Sequence, residues 1–90
     1  MPGKMLKISI STPERTLFSG ETTSLIAPGK SGYFGILVDH APLIANLGPG
    51  KIIIKGNGSL TTVFENKGIG ILEVLRNEVS MLVDDAVEAR

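Results

Sequence analysis

Turn-forming residues divide the 90-residue chain into short segments, and their spacing limits the folds that the chain can adopt. Clusters rich in glycine, proline and asparagine recur about every eight to ten residues. They lie at residues 12–15, 28–32, 48–50, 56–58, 66–68 and 76–78. The segments between them show no helical period, and short apolar runs bounded by glycine and proline are typical of strands. The sequence therefore predicts an all-β fold, a sandwich or flattened barrel.

Within these segments, the order of apolar and polar residues predicts the strands. Residues 6–10 alternate between apolar and polar side chains, which is the period of a half-buried strand. Gly20 marks a weak point, where we expect one strand to end before the next begins. The predicted strands span residues 6–10, 16–20, 22–27, 33–38, 43–47, 51–55, 60–65, 69–75 and 79–83.

Only the C-terminal tail has a helical pattern. Asp85 is a candidate helix N-cap, and Glu88 follows it at the spacing of a capping box. A helix of about one and a half turns is unstable alone, so we expect at most a helical stub. The predicted organisation is a β-sandwich domain over residues 1–84 and a short tail over residues 85–90.

The predicted strand 69–75 is apolar on both of its faces. Leu72 and Val74 share one face, whereas Ile71 and Leu75 share the other face with Glu73 between them. A sandwich strand that faces water is normally polar on its outer side. Either another protein covers part of this outer surface, or the strand is packed centrally within the fold; the sequence leaves both explanations open.

Composition excludes several classes of function. The formal net charge is zero, which gives no attraction to nucleic acid or to an anionic membrane surface. The chain has no cysteine, hence no disulfide and no thiolate chemistry. No apolar run approaches the length of a signal peptide core or of a membrane span, so we expect a soluble protein without membrane insertion.

Motifs that could support chemistry are incomplete. Gly29-Lys30-Ser31 resembles the end of a phosphate-binding loop, but the earlier glycine is missing and a strand follows where a helix is needed. His40 stands beside Asp39, yet adjacent strand residues point to opposite faces and no second histidine or cysteine is available for a metal. We expect His40 to fix a corner with its ring nitrogens. The sequence therefore predicts no catalytic, cofactor-binding or metal-binding residues.

Asn57-Gly58-Ser59 is formally a glycosylation sequon. In the absence of a secretory signal, it is explained more simply as the turn of a hairpin.

Four stretches of the chain together resemble a known family. They are Thr12-Pro-Glu-x-x-Leu-Phe-Ser-Gly20, Gly32-x-x-Gly-Ile-Leu-x-x-His-Ala-Pro-Leu43, Gly48-Pro-Gly50 and Gly70-Ile-Leu-Glu-Val74. The chain is similar over nearly its whole length to the N-terminal domain of the epsilon subunit of rotary ATP synthases. The resemblance implies a sandwich of roughly ten strands, in agreement with the strand pattern.

The resemblance also implies a mechanical role without catalysis. Such a domain sits in the central stalk and couples the gamma subunit to the membrane c ring during proton-driven ATP synthesis, at the cytoplasmic face of the membrane. It implies that the isolated chain is a monomer. The resemblance places one turn at the c ring, formed by Lys30, Ser31, Gly32 and Tyr33. It places Thr12, His40 and Ala45 toward gamma, and the apolar outer residues Ile71 and Leu75 complete the expected gamma contact.

The chain departs from the family pattern at three places. Tyr33 stands where an acid is frequent, and Val38-Asp39 replaces the usual Pro-Gly before the histidine. Typical bacterial members continue for two more helices, which in some species bind ATP and inhibit hydrolysis. For a chain that ends at Arg90, we expect neither ATP binding nor inhibition by that route.

Two other hypotheses belong to different functional classes. A free-standing β-sandwich that binds a small ligand or a carbohydrate normally presents exposed aromatic side chains, and the chain has no tryptophan and a single tyrosine. A small jelly-roll enzyme is disfavoured by the missing ligand set.

Overall fold

The computed structural model of the chain describes residues 3–56 and 61–89 and is built from ten strands. The strands are β1 Leu6–Ser11, β2 Thr16–Thr22, β3 Ser24–Gly29, β4 Gly32–Leu37, β5 Leu43–Leu47, β6 Gly50–Lys55, β7 Thr61–Asn66, β8 Gly70–Leu75, β9 Glu78–Val83 and β10 Ala86–Glu88. These described residues contain no helix that could cross a membrane. The predicted all-β class is confirmed.

The strands form two layers that share one continuous path of hydrogen bonds. Strand order along the path is β10-β7-β6-β3-β5-β8-β9-β1-β2, with β4 paired to β3. A single residue pair, Gly29 with Leu47, joins β3 to β5. We call β10, β7, β6, β3 and β4 the first sheet, and β5, β8, β9, β1 and β2 the second sheet. Neighbouring strands are antiparallel except β1 and β9, which run parallel in the second sheet.

The hydrophobic core lies between the two sheets. Alternate residues of nearly every strand point into it, as the period-two patterns predict. An edge-to-face contact between the rings of Phe18 on β2 and Phe64 on β7, with centroids 5.8 Å apart, joins the sheets directly. The fully buried large side chains include Leu6, Ile10, Leu25, Ile36, Leu47, Ile52, Leu72, Val74, Val79, Met81 and Val83.

The predicted break at Gly20 is wrong. Strand β2 continues through Gly20, which pairs with Ile8, and the chain turns at Thr23 instead. A Cβ atom on Gly20 would lie 3.0 Å from the ring of Phe18, so glycine leaves room for that ring. The turn forms where the Thr22 hydroxyl, which has one proton to donate, lies within hydrogen-bonding distance of the Ser24 and Lys55 carbonyl oxygens.

The expected helical start at Asp85 is also wrong, because this segment is a strand. Residues 86–88 pair antiparallel with residues 64–66 of β7. Two further hydrogen bonds extend this pairing. The Lys67 N–H donates to the Asp85 carbonyl oxygen, and the Ala89 N–H donates to the Val63 carbonyl oxygen, each at 2.8 Å. Pairing with β7 satisfies backbone groups that so short a helix would leave open to water. The sheet therefore extends past the boundary that we predicted at residue 84.

The connections gather at two ends of the sandwich. The Lys30 end carries the turns at residues 12–15, 30–31, 48–49, 67–69 and 84–85. The buried Asn66 binds two of these turns together, since its Nδ2 donates to the Gly48 and Gly68 carbonyl oxygens at 2.9 and 3.1 Å. The His40 end carries the corner at residues 38–42 and the hairpin turn at residues 76–77. Residues 57–58 of the predicted turn at 56–58, and the sequon at residues 57–59, lie outside the described residues.

Candidate interaction surface

Four large apolar side chains are exposed together on the outer face of the second sheet. Ile44, Ile71, Leu75 and Leu82 are each between 43% and 68% exposed, and we call them the outer patch. The other faces of the same strands are buried, as at Leu72. Central packing of β8 within the described fold therefore does not explain its apolar outer side. Covering of this side by another protein stays a prediction.

Strand register brings the outer patch together around one carboxylate. Glu73 of β8 is paired with Ile44 on β5 and with Ser80 on β9. Ile71 and Leu75 lie two positions before and after Glu73, on the same side of the strand. Leu82 is paired with Ile71 and continues the apolar area onto β9.

A shallow groove continues from the outer patch across the second sheet. Ser80 is paired with Ser9 on β1, and Ser9 is paired with Ser19 on β2, so that small hydroxyl side chains line its floor. Ile44 and Leu82 line the apolar half of this groove. The polar half is lined by Lys7, Ser19, Gly20, Glu21 and Glu78. The outer face thus has an apolar side at β5 and β8 and a polar side at β1 and β2.

The corner at the His40 end is held by hydrogen bonds between two turns. The Asp39 N–H donates to Asn77 Oδ1 at 2.7 Å, and Asn77 Nδ2 donates to Asp39 Oδ1 at 3.0 Å. Lys4 Nζ lies 3.4 Å from the same carboxylate. Hydrogen bonds from Asn77 and Lys4 lower the pKa of the Asp39 carboxyl below its ordinary value. The corner is therefore fastened to the β8–β9 hairpin and to the N-terminal segment.

His40 has a structural role within this corner. Its Nδ1 donates to the Ala41 carbonyl oxygen at 2.7 Å, and its backbone N–H donates to the Leu37 carbonyl at 3.1 Å. The predicted use of a ring nitrogen to fix the corner is thus what the structure shows. Among the residues that the structure describes, no group of three or more histidine, cysteine or acidic side chains could hold a metal ion.

The other residues predicted to face gamma do not form one cluster with the outer patch. Thr12 lies at the Lys30 end, where its backbone N–H donates to the Arg15 carbonyl at 2.8 Å. Strand β1 separates this turn from the His40 end, so Thr12 and His40 mark opposite ends of the second sheet. Ala45 is half-buried and, by the alternation of β5, shares its inner side with Leu47. Only Ile71 and Leu75 belong to the outer patch.

The turn predicted to face the c ring is exposed at the Lys30 end. Lys30, Ser31 and Gly32 are exposed, and Tyr33 follows them with 59% of its surface open. The Tyr33 hydroxyl accepts a hydrogen bond from the Lys51 N–H at 3.0 Å. A Cβ atom at position 50 would lie 2.7 Å from this hydroxyl, so Gly50 permits the ring to fold over β6. This hydrogen bond therefore holds the Tyr33 side of the turn against β6.

Two members of the outer patch were not predicted from the sequence. Ile44 and Leu82 each stand inside an unbroken apolar run, at residues 43–45 and 81–83. A half-buried strand should alternate, so an apolar residue at the outward position of such a run was a detectable signal. Ile44 and Leu82 share this signal with Ile71 and Leu75.

Comparisons with known proteins agree with this architecture. A family model described as the ATP synthase delta/epsilon chain β-sandwich domain matches residues 5–89. The ATP synthase epsilon chain of Leptospira interrogans is 44% identical over 84 residues, which cover 93% of this chain and 65% of that relative. The ATP synthase epsilon chain of Caulobacter vibrioides is 43% identical over 84 residues, which cover 93% of this chain and 95% of that relative. The chain thus spans about two thirds of the Leptospira protein and nearly all of the Caulobacter protein.

Solved structures show the same fold at low sequence identity. A chain in the mitochondrial ATP synthase of Euglena gracilis matches with a TM-score of 0.85 and 15% identity, over 93% of this chain and 53% of that chain. A chain in the central stalk and c ring of the Tetrahymena thermophila mitochondrial ATP synthase matches with a TM-score of 0.78 and 15% identity, over 97% and 69%. Since the family model spans nearly the whole chain and relatives are more than 40% identical, the chain belongs to the delta/epsilon chains of ATP synthase and contains their β-sandwich domain.

Proposed function

We propose that this chain is a non-catalytic subunit of the central stalk, which couples the gamma subunit to the c ring of the ATP synthase. Its role is mechanical, since a rotor part must transmit force between two partners without slipping. It works at the cytoplasmic face of the membrane as a peripheral part of the enzyme. Membership in the delta/epsilon family supports the assignment to this enzyme.

The outer patch is the observation that carries the proposed contact with gamma. Clustered apolar side chains on an otherwise polar outer sheet face are typical of a surface that a partner covers. The side chains stand on neighbouring strands of the middle of the second sheet, so the surface is rigid and suited to transmit force. The exposed turn at Lys30, Ser31, Gly32 and Tyr33 is the proposed contact with the c ring.

The test is capture of the cognate gamma subunit by the isolated chain and its variants. Leu75→Lys places a charge in the middle of the proposed interface, and we expect affinity to fall by about 100-fold or more. The matched control is Leu37→Lys, because Leu37 is 64% exposed on β4 of the first sheet. We expect this control to bind gamma within about threefold of wild type.

Circular dichroism and thermal melting check that both variants are folded. If wild type fails to capture gamma, the proposed function is wrong. If both lysine variants bind equally well, gamma does not cover the outer patch. A selective loss with His40→Ala would move the contact to the corner.

A further inference from the structure

Glu73 occupies the centre of the outer patch, where a partner would remove it from water. Its neighbours on the outer face are Ile44, Ile71, Leu75 and Ser80. Glu73 itself is exposed in this structure. A protein that covers the four apolar side chains must therefore also cover this carboxylate.

Within residues 3–56 and 61–89, no lysine or arginine side chain forms an ion pair with Glu73. The ion pair found within residues 3–56 and 61–89 joins Lys4 to Asp39, at the His40 end. Arg76 shares a shallow hollow with Glu73 and Glu78, and it pairs with neither carboxylate. Burying an unpaired carboxylate against apolar surface is strongly unfavourable, whereas a buried carboxylate that is paired and hydrogen-bonded is tolerated. We therefore expect a partner that covers Glu73 to supply a positive charge.

The floor of the groove beside Glu73 suits a long, flat cation. Ser80 and Ser9 follow Glu73 across neighbouring strands and present small side chains with hydroxyl oxygens. A guanidinium has five donors in a fixed fork, which one carboxylate alone does not satisfy. A guanidinium that lies over Ser80 and Ser9 can donate to the Glu73 carboxylate with one edge and to the serine hydroxyl oxygens with the other. A lysine ammonium paired with Glu73 would leave the hydroxyl groups of Ser80 and Ser9 unused.

Charges on the rest of this face also favour a basic partner. The outward positions of the second sheet carry Glu21, Glu73 and Glu78 against a single cation on these strands, Lys7. Complementary charge of this kind sets specificity and orientation more than raw affinity.

We propose that Glu73 receives a basic side chain of the gamma subunit, an arginine that lies over Ser80 and Ser9 when gamma covers the outer patch. This inference depends on the proposed function, since it names the chemistry of the gamma surface that docks there. In this arrangement Glu73 fixes the position of gamma, and the outer patch supplies the apolar contact.

The test measures the affinity of cognate gamma for wild type, Glu73→Gln and the matched control Glu65→Gln. Glu65 is exposed on β7 of the first sheet, so the same change is made away from the proposed interface. We expect Glu73→Gln to weaken binding about 30-fold or more and Glu65→Gln to change it less than about threefold. Ser80→Ala should weaken binding by a smaller factor than Glu73→Gln.

A charge-reversal experiment then identifies the partner residue. Glu73→Lys is paired with gamma variants in which exposed arginines and lysines are changed singly to glutamate, and we expect one arginine variant to restore binding. Equal or tighter binding by Glu73→Gln, while Leu75→Lys still abolishes binding, would overturn the inference and leave the proposed function intact. Restoration by a lysine variant only would overturn the choice of arginine. If wild type does not bind gamma, both proposals fail.

Discussion

Among residues 3–56 and 61–89, three non-glycine residues have left-handed backbone conformations, and they lie in the two turns that meet at the His40 end. The φ angles are 67° at Asp39, 50° at Arg76 and 63° at Asn77. Asp and Asn tolerate this region better than other side chains. Positive φ at both central residues of a two-residue hairpin is the type I′ geometry that matches strand twist. The reciprocal Asp39–Asn77 hydrogen bonds then join two turns that are each locally unfavourable.

At the scale of single residues, we predict that the charge on Asp39 stabilises the fold in a pH-dependent way. Its folded-state pKa lies below the ordinary value of 3.8. A group with a lowered folded pKa contributes stability above its unfolded pKa and loses that contribution as pH falls through the folded value. We expect the melting temperature of wild type to exceed that of Asp39→Asn at about pH 6, and the difference to shrink below about pH 4.

The measurement is thermal unfolding of both proteins over this pH range. Asparagine keeps the shape of the side chain and tolerates the same backbone conformation, so the comparison isolates the charge. A difference in melting temperature that stays constant down to pH 2, or grows, would contradict the prediction.

Among the elements, β10 shows how a short segment takes its structure from its neighbour. Its three residues lie at the edge of the first sheet, where Ala86 is 7% exposed and Val87 is 45% exposed. Ala86 points inward beside Phe64, which is the core residue that reaches across to β2. Ala86 and Val87 thus lie on opposite faces of the sheet, as successive strand residues do, and Glu88 at the end of the strand is exposed.

We predict that lysine substitutions at these two positions have very different effects. Ala86→Lys forces a charged side chain toward the core and should lower the free energy of unfolding by about 2 kcal/mol or more. Val87→Lys should change it by about 0.5 kcal/mol or less, because lysine is well tolerated on an exposed edge strand. Urea denaturation of the two variants measures both values. Equal losses would show that the segment is not held as a strand.

For the whole molecule, the two proposed contacts occupy different surfaces. The outer patch lies on the flat side of the second sheet, whereas the turn at Lys30 projects from one end of the sandwich. A subunit built in this way can hold one partner against its side and another at its end. Rigid strands connect the two surfaces.

We predict that this separation appears as a separation of phenotypes. Lys30→Glu should leave capture of gamma unchanged but lower ATP-driven proton pumping by membranes that contain the complete enzyme, by about twofold or more. The control is Lys55→Glu, which makes the same exchange on an exposed lysine. Lys55 is the last residue of β6 and lies at the opposite end of the sandwich from Lys30. Normal pumping by Lys30→Glu would exclude this turn from the c-ring contact. Loss of gamma capture would show that the surfaces are not independent.

The sequence by itself determined most of the strand content between residues 6 and 83, and the inward side of nearly every strand there. Alternation such as that of Leu6, Ile8 and Ile10 is local, because successive side chains of a strand always point to opposite faces. The apolar outer side of β8 was also visible locally, at Ile71 and Leu75. The family motifs, such as the one around His40, added the identity that periodicity alone does not give.

Only the tertiary structure decided which strands are neighbours, and this decided the composition of the candidate site. Ile44 and Leu82 join the outer patch because β5 and β9 flank β8. Residues 86–88 are a strand because β7 offers them an open edge, although their local pattern favours a helix. Pairing between distant segments depends on how the whole core packs, and no short stretch of sequence contains that information.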